Sequence, residues 1–167
     1  MLINKNFWKK KNILITGHTG FKGGWLSVLL NLLGSNIYGY ALAPIGKNNF
    51  FNSVKIKKIF KKDYRSNITN LNYLKKCIKK SKAEIIFHLA AQSSVVESFK
   101  DSHQTVSTNV IGTSNILEAV KDNGNVKCVI IVTTDKVYQN YKIKEYFSEN
   151  SMLGGNDIYS GSKACCE

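Results

Sequence analysis

Arginine is nearly missing from this sequence. Of its 24 basic side chains only Arg65 is a guanidinium, and the rest are lysines. Base readout and bidentate phosphate contacts favour arginine, so the net charge of +13 does not by itself point to nucleic acid. The lysines are scattered over the polar faces of candidate helices at 55–62 and 75–82, which reads as solvated helix surface. A pI near 9.6 still favours weak attraction to anions, nucleotides included. Long apolar runs are lacking too, and none approaches the roughly 18–20 residues of a membrane helix. The start, Met1-Leu2-Ile3-Asn4-Lys5, carries no apolar signal region, so a cytoplasmic chain with no membrane partner is expected. The four cysteines, Cys77, Cys128, Cys165 and Cys166, form no CxxC pair, and no histidine stands at a metal-ligand spacing from them. Free thiols and no metal site are expected, with Cys77 and Cys128 partly buried. Repeats, low-complexity tracts and linkers are absent, and 167 residues suit one domain with a sizeable core.

What the sequence does contain is an alternation of short apolar runs and helical patterns. Ile13–Thr16 suits a buried parallel strand. Phe21–Leu33 turns helical, with Trp25, Leu26, Leu29, Leu30 and Leu33 on one stripe, and Gly34 ends it. Asn36–Leu42 reads as a second strand followed by a loop at Pro44-Ile45-Gly46, and residues 50–60 as a short helix. Tyr64–Ile68 is a weak third strand and Asn70–Lys80 a helix. Glu84–Leu89 is a strand, a long helix runs from about His103 to Lys121, and Lys127–Val132 is a further strand. An irregular polar stretch, 137–156, precedes a helix that starts near Asp157. Strands alternating with helices predict an α/β, doubly wound parallel sheet of the Rossmann type, in the order 3-2-1-4-5.

Between the first strand and the first long helix stands Gly17-x-x-Gly20-x-x-Gly23. At that place the spacing has a mechanism. Gly17 permits a tight turn, Gly20 lets backbone approach a phosphate, and Gly23 lets helix and strand pack closely. The helix start then offers free N–H groups to a pyrophosphate. An acid to hold the adenosine ribose is missing at the end of the second strand, where the residues are Tyr40-Ala41-Leu42-Ala43, so the choice between NAD and NADP is not readable there. Asn67-Ile68 stands where an Asp-Ile or Asp-Val pair commonly meets the adenine. After the fourth strand, His88-Leu89-Ala90-Ala91-Gln92 brings small residues against a cofactor, with Gln92 able to turn toward it. His88 itself reads as structural. Finally, Thr134-Asp135-Lys136 closes the fifth strand, and Tyr159 and Lys163 share a helical face at i, i+4. An ammonium beside a phenol favours loss of the phenol proton, which makes such a pair a usable base.

With these residues the chain resembles the extended short-chain dehydrogenase/reductase family and, within it, the nucleotide-sugar 4,6-dehydratases. The resemblance rests on Phe7-Trp8, the string Thr16–Ser27, His88–Gln92, Thr108-Asn109-Val-x-Gly112-Thr113 and Thr134-Asp135-Lys136-x-Tyr138. Relatives with other nucleotides carry Thr-Asp-Glu, and the Asp135-Lys136 pair points to the CDP-glucose branch. The resemblance implies NAD as cofactor, a nucleotide-sugar substrate and a homo-oligomer. It implies cofactor contacts from Gly17, Thr19, Gly20, Phe21, Lys22, Gly23, Asn67, Ile68, Leu89, Ala90, Ala91, Gln92, Asn109, Tyr159 and Lys163. It also implies catalytic roles for Thr134, Asp135, Lys136, Tyr159 and Lys163. Family members run to roughly twice this length, so the chain is expected to be a cofactor-binding piece that stops before the last strands and the substrate domain. An epimerase or reductase of the same family, or a cofactor-binding remnant, are the alternative readings.

Overall fold

A computed structural model of the chain describes residues 4–46, 48–139 and 146–167. A short helix, α1 (Lys5–Trp8), starts under the side chain of Asn4, which accepts the amides of Asn6 and Phe7. The chain then alternates: β1 (Asn12–Thr16), α2 (Phe21–Leu32), β2 (Asn36–Ala41), α3 (Phe50–Ser53), a 3-10 turn at Ile56–Ile59, β3 (Phe60–Arg65), α4 (Leu71–Ser81) and β4 (Ile85–His88). After β4 come α5 (Val95–Lys100), α6 (Ser102–Val106), a π-helical segment Ser107–Ile111, α7 (Gly112–Val120), β5 (Cys128–Ile131), a 3-10 turn at Asp135–Val137 and α8 (Ile158–Ala164). Within the described residues no helix is long and apolar enough to cross a membrane.

The strands form one five-stranded sheet in the order β3-β2-β1-β4-β5, with every pair parallel, as the sequence predicts. Side chains alternate across β1 because successive Cβ atoms point to opposite faces. Leu14 joins Tyr40, Tyr64, Leu74, Ile78, Ile86 and Ile116 beneath α4 and α7. Ile13 and Ile15 join Leu30, Leu33, Ile37 and Ile85 beneath α2. Register brings Thr16 beside Tyr40 and His88, Ala41 beside Arg65, and His88 beside Ile131. The carboxyl ends of all five strands therefore line one edge. The order reverses between β1 and β4, and a crevice at such a reversal is where this architecture binds ligands.

Four local readings need correction. The buried face of α2 is Gly23, Gly24, Ser27 and Leu30, while Trp25 and Leu29 point outward. Close approach to the glycine turn and to Phe50 and Ile56 selects small residues at Gly23 and Gly24, and Trp25 instead stacks on Phe50 at 4.6 Å between ring centroids. The third strand runs Phe60–Arg65, four residues earlier than its apolar pattern suggests. It is an edge strand, so its exposed side carries Lys61 and Lys62, while Ile68 lies past its end in the core. The long helix expected from His103 is continuous but contains a π-helical turn at Ser107–Ile111. Cys128 is exposed rather than partly buried, because β5 is the other edge; Cys77 is buried, and all four cysteines are free. Within the polar stretch 137–156, residues 140–145 lie outside the described residues, and Tyr138 pairs with Leu153 in an isolated antiparallel bridge.

Candidate active site

The glycine turn sits at the carboxyl end of β1. Gly17 has φ +72° and donates its amide to the Tyr40 carbonyl. A Cβ at Gly17 would lie 2.7 Å from the backbone of Leu89 and Ala90, and one at Gly23 would collide with the Gly17 carbonyl oxygen. Turn, helix and the strand-end at Leu89-Ala90 are therefore packed at backbone distance. A Cβ at Gly20 would meet only that same carbonyl, at 3.3 Å, so its outer side is open. Gly20 caps α2 without a side-chain bond, and the first turn carries no acid. The amides of Phe21, Lys22 and Gly23 have no acceptor among the described residues. Free amides, a positive helix end and the exposed Lys22 side chain fit a pyrophosphate.

Beside the turn, Thr16 and His88 close the floor of the crevice. The Thr16 hydroxyl lies 2.7 Å from His88 Nδ1 and accepts the amides of Leu89 and Ala90. His88 Nε2 lies 3.2 Å from the Thr113 hydroxyl on α7. Burial, with help from the charge of Lys163, pushes the His88 imidazole down to about 4. It is a neutral bridge between β1, β4 and α7, in line with a structural role.

The opposite wall is α8. Asp157 caps it, accepting the amide of Ser160 at 2.9 Å and its hydroxyl at 2.6 Å. Burial opposes the charge of Asp157, but the Ser160 bonds and the nearby Lys136 outweigh it and hold its carboxyl below the usual range. Tyr159 and Lys163 are both buried on the inner face, as the i, i+4 spacing predicts. Lys163 Nζ donates to the Val132 carbonyl at 3.0 Å, just past β5. Burial, and the charge of Lys22 across the crevice, pull Lys163 below the ordinary lysine range. Thr134 donates to Asp135 and takes the amide of Lys136. Asp135 and Lys136 stand exposed on the 3-10 turn above them.

Other residues expected in the site serve it indirectly. Gln92 does not turn its side chain into the crevice. Its amide donates to the Ser94 carbonyl and the Thr105 hydroxyl, while its oxygen takes the Ser94 amide. The short helix α5, which the sequence pattern did not suggest, and α6, the start of the expected long helix, supply those partners. Asn109 is 1% exposed. It holds both backbone groups of Gln92 and donates to Ser162 Oγ at 2.8 Å, so it ties the post-β4 loop to α8. Ile68 is in the core and offers a ligand only backbone, with its carbonyl already bonded to Asn115. Asn67 accepts the Thr69 amide with its side chain and the Tyr40 hydroxyl with its carbonyl. Thr19 donates to the Leu42 carbonyl at 3.2 Å.

Two groups of residues escaped sequence reasoning. His18, fully buried inside the glycine turn, bonds Asp63 at 2.9 Å, and Asp63 also pairs with Arg65 at 2.5 Å. Asp63 is the only acid in the first 83 positions, and that scarcity was the available signal. Asp157 and Ser162 were also missed; Asp157 carried the ordinary N-cap signal of an acid three residues before Ser160.

Fold and site together define a Rossmann-type dinucleotide domain with a Tyr-Lys helix at its crevice. The GDP-mannose 4,6 dehydratase profile matches residues 14–167, and the chain belongs to that family. CDP-glucose 4,6-dehydratase of Salmonella typhimurium is 42% identical over 166 residues, covering 99% of this chain and 46% of that protein. The dTDP-D-glucose 4,6-dehydratase of Dictyostelium discoideum is 33% identical, over 98% of this chain and 40% of its own length. A crystal structure of dTDP-glucose 4,6-dehydratase from Bacillus anthracis in complex with NAD is 30% identical, with a TM-score of 0.74 over 93% of this chain and 48% of that one. The chain spans about half the length of the curated relatives it matches.

Proposed function

We propose that the chain carries the cofactor-binding and catalytic half of an NAD-dependent nucleotide-sugar 4,6-dehydratase acting on CDP-glucose to give CDP-4-keto-6-deoxyglucose. The observation that carries this reading is the pair Tyr159 and Lys163, buried on one face of α8 with Lys163 bonded to the Val132 carbonyl just past β5, and with Thr134-Asp135-Lys136 following that strand. The 42% identity to a CDP-glucose 4,6-dehydratase supports cytidine over the other bases, as does Lys136 in place of a glutamate.

NAD+, when bound, would take hydride from C4 of the sugar and return it to C6. Tyr159 would accept the proton of the O4 hydroxyl, helped by the positive charge of Lys163 and by the Thr134 hydroxyl. The 4-keto group acidifies the neighbouring C5 hydrogen. Lys136, exposed on the turn after β5, would remove or help remove that proton. Asp135 would protonate the departing C6 hydroxyl so that water leaves, and the proton taken from C5 would be given back to C5 as hydride reaches C6. Gly17, Thr19, Gly20, Phe21, Lys22, Gly23, Leu89, Ala90 and Ala91 would form the cofactor cradle, while Asn109 and Gln92 hold its walls in place. The enzyme is read as cytoplasmic and homo-oligomeric. Exposed Val96 and Phe99 on α5, with Val106, Ile111 and Leu117 beyond, support an oligomer.

Incubating the purified full chain with NAD+ and CDP-, dTDP- or UDP-glucose, followed by mass spectrometry, tests the reading. Loss of one water, fastest from CDP-glucose, is expected. A product of unchanged mass would mean epimerisation, and preference for another nucleotide would overturn the cytidine assignment.

A further inference from the structure

We infer that the adenosine end of the crevice accepts a 2′-phosphate, so that the site takes NADP as well as NAD, and that Arg65 is the residue responsible. The inference rests on reading the crevice as a dinucleotide site and goes beyond it in naming what distinguishes the two cofactors.

In this architecture an acid about 20 residues past the glycine turn binds the ribose hydroxyls and repels a 2′-phosphate, whereas an arginine nearby accommodates one. Here β2 ends at Ala41, and Leu42-Ala43-Pro44-Ile45-Gly46 follows with no carboxylate. The guanidinium of Arg65 stands in that place instead. Its Nη1 donates to the Leu42 carbonyl at 2.9 Å, the same oxygen that accepts the Thr19 hydroxyl from the glycine turn at 3.2 Å. Arg65 is thus one shared carbonyl away from the residues that would hold the pyrophosphate.

The guanidinium is also fixed in orientation. Its Nη2 meets Asp63 at 2.5 Å, and its plane-centre lies 4.9 Å from the Phe51 ring centroid. A guanidinium has five N–H donors; these two bonds leave the others without a partner among the described residues. The Arg65 side chain is 33% exposed, whereas Asp63 is 8% exposed and shares its charge with buried His18 at 2.9 Å. The only acid of residues 1–83 is therefore turned inward. Among the described residues no carboxylate stands at the end of β2, and Arg65, held in place by two bonds, keeps three of its five N–H groups without a partner and available to phosphate oxygens.

Equilibrium binding of NAD+ and NADP+ to the purified full chain, by titration calorimetry at low and moderate salt, tests this. The wild type is expected to bind NADP+ within about tenfold of NAD+, with NADP+ affinity the more salt-sensitive of the two. Arg65→Ala should weaken NADP+ by about tenfold or more and NAD+ by less than about threefold. Leu42→Asp leaves the Arg65 pair in place and should lower NADP+ affinity while sparing NAD+; it serves even where Arg65→Ala fails to fold. A wild-type preference for NAD+ beyond about tenfold, equal losses of both cofactors in Arg65→Ala, or no NADP+ loss in Leu42→Asp would each overturn the inference while leaving the dinucleotide reading intact. Failure of both cofactors to bind would overturn both.

Discussion

The side-chain amide of Asn109 lies 2.8 Å from the hydroxyl of Ser162, and this bond joins the helix that follows β4 to the helix that carries Tyr159 and Lys163. The other atoms of the Asn109 amide clasp the backbone of Gln92, and Ser162 in turn donates to the Tyr159 carbonyl. One buried side chain thus sets the position of the crevice wall relative to its floor.

Replacing Asn109 with alanine removes three hydrogen bonds and takes the partner from the half-buried N–H and C=O of Gln92, while Ser162 keeps its bond to Tyr159. The expected cost is about 2–4 kcal/mol, and the melting temperature should fall by roughly 5–12 °C. Thermal unfolding followed by circular dichroism measures it, and a fall of less than about 2 °C would mean that water replaces the bridge at little cost.

Two glycines should behave oppositely. Gly23→Ala places a Cβ against the Gly17 carbonyl oxygen, with the Gly17 carbonyl carbon and His18 Cα both 2.9 Å away, so the turn must open and dinucleotide binding should be lost along with stability. A Cβ added at Gly161 would enter open space, with nothing within 4 Å, and the residue lies inside α8. Gly161→Ala should stabilise the helix by about 0.5–1 kcal/mol. Urea midpoints of both variants decide the matter, and destabilisation by Gly161→Ala would contradict the open space seen at that position.

His88 should make the fold acid-sensitive. Its imidazole stays neutral down to about 4 in the fold, against an ordinary value of 6.5, so the unfolded chain binds the proton more readily. Stability therefore rises with pH between about 4 and 6.5 and is fully present above that window. It is lost as pH falls through the window, by up to about 3 kcal/mol from this group. His88→Gln should flatten that part of the urea-midpoint profile between pH 7 and pH 4.5. An unchanged slope would place the acid sensitivity elsewhere.

Lys136 is expected to act after C4 oxidation. With CDP-glucose, Lys136→Met should let reduced nicotinamide accumulate, seen by its near-ultraviolet absorbance, while the dehydrated product disappears. Normal turnover of this variant would remove Lys136 from the mechanism.

Much of the architecture was legible in the residues. Apolar runs of four to six residues, separated by helical periods, require a parallel sheet covered on both faces, and the order β3-β2-β1-β4-β5 follows from right-handed crossovers. The glycine turn and the Tyr159–Lys163 spacing were equally readable, because both act through local backbone geometry. Their chemistry depends on residues three or four apart, which a helix brings together whatever surrounds it.

Which side chains the fold turns inward was decided only by tertiary packing. Periodicity put Trp25 and Leu29 on the apolar stripe of α2, yet the helix buries Gly23, Gly24, Ser27 and Leu30, with Gly23 against the glycine turn and Gly24 against Phe50 and Ile56. Ile68 looked like a strand end and proved to be core, because strand pairing with β2 sets the limits of β3. The amide of Gln92 was free to face a cofactor until α5 and α6 gave it partners. Arg65, the lone guanidinium of the sequence, was only a rarity of composition until β3 set it beside Leu42. Local pattern determined the elements and their order. Contacts between residues far apart in the chain determined which groups are left to meet a ligand.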